Sequence, residues 1–286
     1  MLNLSDSAKS ILAAQVRWSR GRPLDSERSH YVAKSQDNLF LRRLKPETEA
    51  EFLAADGAEL SDTGKRPAKM RALVSSSALA VNFFDAWRDE DKRQLSVALG
   101  LPREIEALRF EWRPDNYPVR PRSPNLDLLL TLAGGGRVAV ESKFTEPYTG
   151  AAPGLSKKYF PGTPGLWAAA GLGAVQTLAD TLRPAWQYLD VPQLLKHMLG
   201  LASDPNSPTI LLYLWYDTGL ADARIHGEEV ARFSEQVGGD RIRLVPKTYQ
   251  EVFESLSPGF EPAEGWRAYV GDRYLRRVVP RETGIQ

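Results

Sequence analysis

The chain of 286 residues contains no cysteine and only three histidines, His30, His197 and His226. Without thiols neither a disulfide framework nor a thiolate metal site can form, and three imidazoles are a poor basis for a zinc centre. Any metal must be held mainly by oxygen, which suits a hard cation such as Mg2+. Long apolar runs are missing too. Charges interrupt every hydrophobic stretch before the roughly 18 residues that suggest a membrane span. The start, Met1-Leu2-Asn3-Leu4-Ser5-Asp6, lacks the basic-then-apolar order of a secretory signal. A cytoplasmic protein with no membrane partner is therefore expected. Charge of one sign is not in excess either: 37 basic against 36 acidic residues leave a net charge of +1. A nucleic-acid partner would have to be met by a local patch. No phosphate-binding P-loop and no internal repeat occurs, and Gly171-Leu172-Gly173 is incomplete as a dinucleotide fingerprint.

What is present can build one sizeable core, since 42% of the residues are hydrophobic. Residues 1–66 read as an N-terminal helical extension, 67–256 as the core and 257–286 as a C-terminal helical tail with a helix near 266–277. Within the core, the hydroxyls of Ser75, Ser76 and Ser77 precede an apolar helix over 78–87. Residues 108–113 alternate like a strand, followed by a break at Pro114, Pro118, Pro121 and Pro124. Two strand-like runs, 126–133 and 137–144, flank Gly134-Gly135-Gly136, a hairpin signal because glycine tolerates the positive φ of tight turns.

Beyond a Gly- and Pro-rich loop, helical patterns cover 174–182 and 192–202. The continuous apolar run from Thr209 to Tyr216 has strand length and the look of burial on both faces. A helix over 223–237, a short strand over 241–245, and a capping box at Thr248 and Glu251 opening a helix through Leu256 complete the pattern. Strands first in a meander, then alternating with helices, imply an α/β fold with a mixed sheet covered by helices.

In an antiparallel hairpin paired positions sum to a constant, and Asp127 opposite Glu141 centres the turn on Gly134. Asp127 then faces the Glu141 to Lys143 segment, with cross-strand Cβ atoms about 5 Å away. Alternation puts Glu141 and Lys143 on one face and Val138, Val140 and Ser142 on the other. Two carboxylates and an amine among leucines and valines need compensation. An ion pair with Lys143 is one solution. A divalent cation is the other, held by Asp127, Glu141 and the main-chain carbonyl of Ser142, with Lys143 orienting or activating a water and offsetting transition-state charge. Glu-x-Lys alone is a weak signal. Glu90-Asp91-Lys92, downstream of Asp85, repeats it in a charge-rich helical segment that reads as a solvated face.

The segment 125–130, the glycine turn and the segment 138–146 (Val-Ala-Val-Glu-Ser-Lys-Phe-Thr-Glu) resemble the signature of the PD-(D/E)xK nuclease superfamily. The helix at 75–87, the strand carrying Glu111, the helix with Gln193 to His197 and the strand at Thr209 extend the resemblance over residues 67–256, closest to uncharacterised restriction-endonuclease-like members. It implies a restriction-endonuclease-like three-layer α/β/α sandwich with a mixed central sheet. It also implies hydrolysis of nucleic acid, DNA rather than RNA, dependent on Mg2+ or on Mn2+ in its place. The motif's catalytic positions fall on Asp127, Glu141 and Lys143. The proline that names the motif is absent before Asp127, where Leu126 stands, with Pro124 near.

Glu111 resembles an additional upstream acid and is a candidate metal ligand, an exposed strand residue being the alternative. Glu146 resembles a recurrent acid past the motif but has the opposite parity to Glu141. Gln193, Lys196 and His197 lie where related nucleases present polar groups; i to i+3 spacing joins Gln193 with Lys196, and a plain helix surface is the alternative. His226 and His30 read as incidental. Phosphate contacts are sought at Lys157-Lys158-Tyr159-Phe160 and at Lys65, Arg66, Lys69 and Arg71. A nuclease-like module that binds nucleic acid or protein without cutting is the competing reading, and the oligomeric state stays open, a homodimer included.

Overall fold

The alternating apolar runs become five strands in the computed structural model, which describes residues 4–55, 59–64, 66–119, 123–150, 154–182, 186–203 and 210–275. In chain order these are β1 (Ile105–Trp112), β2 (Leu126–Leu132), β3 (Arg137–Lys143), β4 (Ile210–Trp215) and β5 (Arg243–Thr248), and they lie in the same order across one sheet. β1, β2 and β3 form an antiparallel meander, whereas β4 and β5 join in parallel. Gly134 and Gly135 close the β2–β3 turn at φ of 75° and 86°, a left-handed conformation that a Cβ would strain. The parallel connections need crossovers, and helices supply them.

Those helices are α1 (Asp6–Trp18), α2 (Pro46–Ala55), α3 (Ser76–Phe84), α4 (Arg93–Ala98), α5 (Leu166–Ala169), α6 (Gly173–Asp180), α7 (Val191–Ser203), α8 (Ala221–Val237), α9 (Tyr249–Ser255) and α10 (Trp266–Val270). Strand parity sorts them into two layers. Even-numbered positions (Leu128, Leu130, Val138, Val140, Leu212, Leu214) pack with Ile11, Phe52, Phe83, Val252 and Trp266, from α1, α2, α3, α9 and α10. Odd-numbered positions (Leu129, Ala139, Leu211, Tyr213) pack with Trp167, Val175, Leu195, Met198 and Phe233, from α5, α6, α7 and α8. The result is the three-layer α/β/α sandwich with a mixed sheet. All six residues of β4 are buried, as a strand covered on both sides requires.

Three local readings are corrected. The chain turns at 85–92 instead of continuing as a charged helix: Asp85 is buried, accepting from the Lys45 amide and the Thr48 hydroxyl, Lys92 is largely buried, and α4 follows. The solvated-face reading of that segment fails for both residues. β5 runs on through Pro246, which sits opposite Tyr213; β5 is an edge strand, where the lost N–H costs no ladder bond. The expected strand start at Thr209 and the helix end at 276–277 lie outside the described residues.

Candidate active site

The hairpin register is the geometric origin of the site. Leu128 pairs with Val140 and Leu130 with Val138, so one step further Asp127 stands opposite Glu141. The main chain does not continue the ladder unaided: the Ser142 amide donates to Asp127 Oδ2 at 2.7 Å, fixing the carboxylate against β3. On the other flank Phe110 pairs with Leu128 and Trp112 with Leu126, so Glu111 stands opposite Asp127. Three acids therefore lie in a row across three strands. Glu111 adopts φ of 52°, unusual for a residue with a Cβ, and its Oε2 accepts from Asn125 Nδ2 at 2.7 Å.

Glu141 and Lys143 share the odd face of β3, and the Lys143 amine donates to Glu141 Oε1 at 2.7 Å and to Gln193 Oε1 at 2.8 Å. Ser142 points the other way, its hydroxyl 2.7 Å from that of Tyr249. Helix α7 roofs the pair. Gln193 and His197, one turn apart, face the sheet together, and His197 Nε2 lies 3.2 Å from Glu141 Oε2 without the alignment of a hydrogen bond. The helix-surface reading is thus overturned for these two residues. Their partnership is i to i+4, and Lys196 is only partly buried beside them.

Electrostatics separate the two carboxylates. Burial alone would raise Glu141, yet Lys143 and then His197 outweigh it and bring its pKa to about 2. Asp127 keeps partial solvent exposure, but protein surrounds its carboxyl closely enough that desolvation, then Glu141, hold it well above the usual carboxylate range; Glu111 adds to the rise. Burial would lower the Lys143 amine, but Glu141, Glu146 and Asp127 reverse this and raise it. A fixed ion pair thus stands beside an acid whose charge nothing in the protein compensates.

A cavity of about 200 Å³ opens beside Lys143 and is lined by Glu146, Tyr188, Asp190, Gln193 and Tyr213. Glu146 turns back to this cavity despite its parity, because a short helical turn follows β3 and its Oε2 accepts from the Phe144 amide at 2.8 Å. The wall at 187–189 is pinned by Glu229, whose carboxylate accepts three consecutive amides, from Gln187, Tyr188 and Leu189. Tyr213, on β4, pairs with Glu141 across the parallel ladder and bonds His226 Nε2 through its hydroxyl at 3.0 Å. Sequence reasoning missed Tyr213, reading it only as part of an apolar run. The signal was its odd parity in a strand that packs beside β3.

His226, read as incidental in a charged helix, is fully buried among Tyr148, Tyr213 and Trp215. His30 is exposed. The basic stretch before α3 is largely committed to acids: Lys69 pairs with Glu59, and Arg71 with Asp25 and Asp62. Lys65 lies outside the described residues, and Arg66 is held through main-chain bonds to Thr63. Lys157 and Lys158 are exposed beside the exposed ring of Phe160, whereas Tyr159 is buried against Tyr117.

Among the described residues, no three His, Asp or Glu side chains converge closely enough to hold a metal by themselves. No described helix is long and apolar enough to cross a membrane. Compared with known proteins, the chain matches a family model described as restriction endonuclease associating with ARP over residues 10–275. Neither a curated protein nor a solved structure matches it.

Proposed function

The chain belongs to the family of restriction endonucleases associating with ARP, and from that premise we propose that it is a metal-dependent nuclease cutting DNA phosphodiesters at Asp127, Glu141 and Lys143. One observation carries the reading: Asp127 is held well above the usual carboxylate range by burial and by Glu141 directly across the hairpin. A structural ion pair would leave no such uncompensated acid. A divalent cation compensates it.

The donor set fits a hard cation. Asp127 and Glu141 would hold Mg2+, or Mn2+, with the Ser142 carbonyl and Glu111 as further oxygens. Ions of this kind are commonly bound through one or two carboxylates while keeping several waters, so three converging side chains are not required. When bound, the cation neutralises phosphate charge and acidifies a water. Lys143, held in place by Gln193, orients that water or offsets charge on the transferring phosphate. The cavity beside Lys143 accommodates the adjoining nucleotide, and the exposed Lys157 and Lys158 next to Phe160 suit the strand backbone.

A second reading, a nuclease-like module that binds without cutting, draws on the saturation of the Lys143 amine by Glu141 and Gln193. One assay separates the two. Single-stranded DNA, double-stranded DNA and RNA are incubated with the protein and Mg2+. Cutting of DNA is expected, abolished by EDTA and in folded Lys143→Ala and Asp127→Ala proteins. Unchanged cutting in both variants refutes the assignment, and salt-sensitive binding without turnover supports the second reading.

A further inference from the structure

Helix α7 buries one side chain that the functional reading leaves unused. His197 is 1% exposed, and neither ring nitrogen makes a hydrogen bond. A buried imidazole left unsatisfied costs its desolvation with no return. Its rotation is not adjustable, because Leu194, Leu195, Met198 and Leu201 on the same helix are locked into the core under the sheet. Nε2 is consequently held 3.2 Å from Glu141 Oε2, out of line for an N–H donor. Lys143 occupies the other oxygen, Oε1, so Oε2 is the atom left for a cation.

That separation has a simple geometric meaning. Two donors bound at about 2.1 Å to one cation, at a right angle to each other, stand about 3 Å apart. Oxygen and nitrogen are thus spaced as neighbouring ligands. Resting on the metal-dependent reading above, we propose that His197 Nε2 is a nitrogen ligand of the cation held by Glu141, so that this centre prefers a first-row transition cation to Mg2+. Imidazole nitrogen is a good donor to transition cations, whereas Mg2+ keeps to oxygen. Asp127, on the far side of Glu141, completes a mixed oxygen and nitrogen set.

Mn2+ is the probe, because it is paramagnetic. It is titrated into the purified protein, binding is read by electron paramagnetic resonance, and spin-echo modulation reports directly bound nitrogen. The wild type is expected to show nitrogen modulation from one imidazole. In His197→Gln, with folding checked by circular dichroism, the modulation disappears and Mn2+ affinity falls at least about tenfold, while Mg2+ affinity measured by competition is unchanged. If that variant does not fold, the wild-type modulation alone decides. Mn2+ bound without nitrogen modulation overturns the proposal and leaves the metal-dependent reading standing; failure of both cations to bind overturns both.

Discussion

Replacing Lys143 by methionine removes the amine and keeps the volume, and its cost follows from the site. Glu141 is 3% exposed and is brought from its usual 4.5 to about 2, against the effect of burial, first by Lys143 and then by His197. At about 1.4 kcal/mol per pH unit, this shift corresponds to about 3 kcal/mol of stability at neutral pH. Breaking a buried pair by deleting one partner costs about 3–5 kcal/mol, the same order. At about 2 °C per kcal/mol for a chain of this size, Tm should fall by at least about 6 °C in EDTA at pH 7.

The pH dependence gives the sharper test. In the wild type the depressed Glu141 contributes stability that is present above about pH 4.5 and lost as pH falls toward 2. In Lys143→Met burial dominates and raises the Glu141 pKa, so the penalty present at pH 7 is relieved once acid protonates the carboxyl. The deficit should shrink between pH 7 and pH 4, and Glu141→Gln added to Lys143→Met should restore most of it. A variant as stable as wild type at pH 7, or a deficit unchanged at pH 4, would refute the reasoning.

Asp127→Asn should raise Tm in EDTA at pH 7: a carboxyl with a raised folded pKa contributes stability below its unfolded pKa and loses it as pH rises through the folded value. A lower Tm would contradict this. Burial, then Lys143, brings His226 from 6.5 to about 3. The unfolded chain therefore takes up a proton that the folded one refuses, and stability should be lost at about 1.4 kcal/mol per pH unit below about pH 6.5. His226→Gln should flatten the urea-unfolding slope between pH 6 and pH 4. Thr248 caps α9 through the Glu251 amide while Glu251 returns a bond to the Thr248 amide. Thr248→Ala should cost about 1 kcal/mol in urea unfolding.

The hairpin was legible because its information is local: glycines that accept positive φ, two apolar runs of matching length, and a register that follows from the turn. The capping box at Thr248 and the doubly buried β4 were legible for similar reasons. What failed was non-local. Whether His197 or Lys196 accompanies Gln193 depends on which face of α7 meets the sheet, and both spacings are compatible with a helix. Tyr213 enters the site only because β4 joins β3 in parallel, and the cavity wall exists because Glu229, 40 residues along the chain from Leu189, pins it. Arg71 looked available to phosphate until Asp25 and Asp62, distant in sequence, claimed it. A proline ended the expected strand at Val245, since edge position cannot be read from the residues themselves.

The central claim is that Asp127 is placed for a cation and not for stability. The measurement that tests it most directly is the rate at which Asp127→Asn cuts plasmid DNA in Mg2+, relative to wild type, using protein whose Tm equals or exceeds that of wild type. The account predicts cutting by the wild type and none above background by the variant. Equal cutting by a folded Asp127→Asn protein would contradict it.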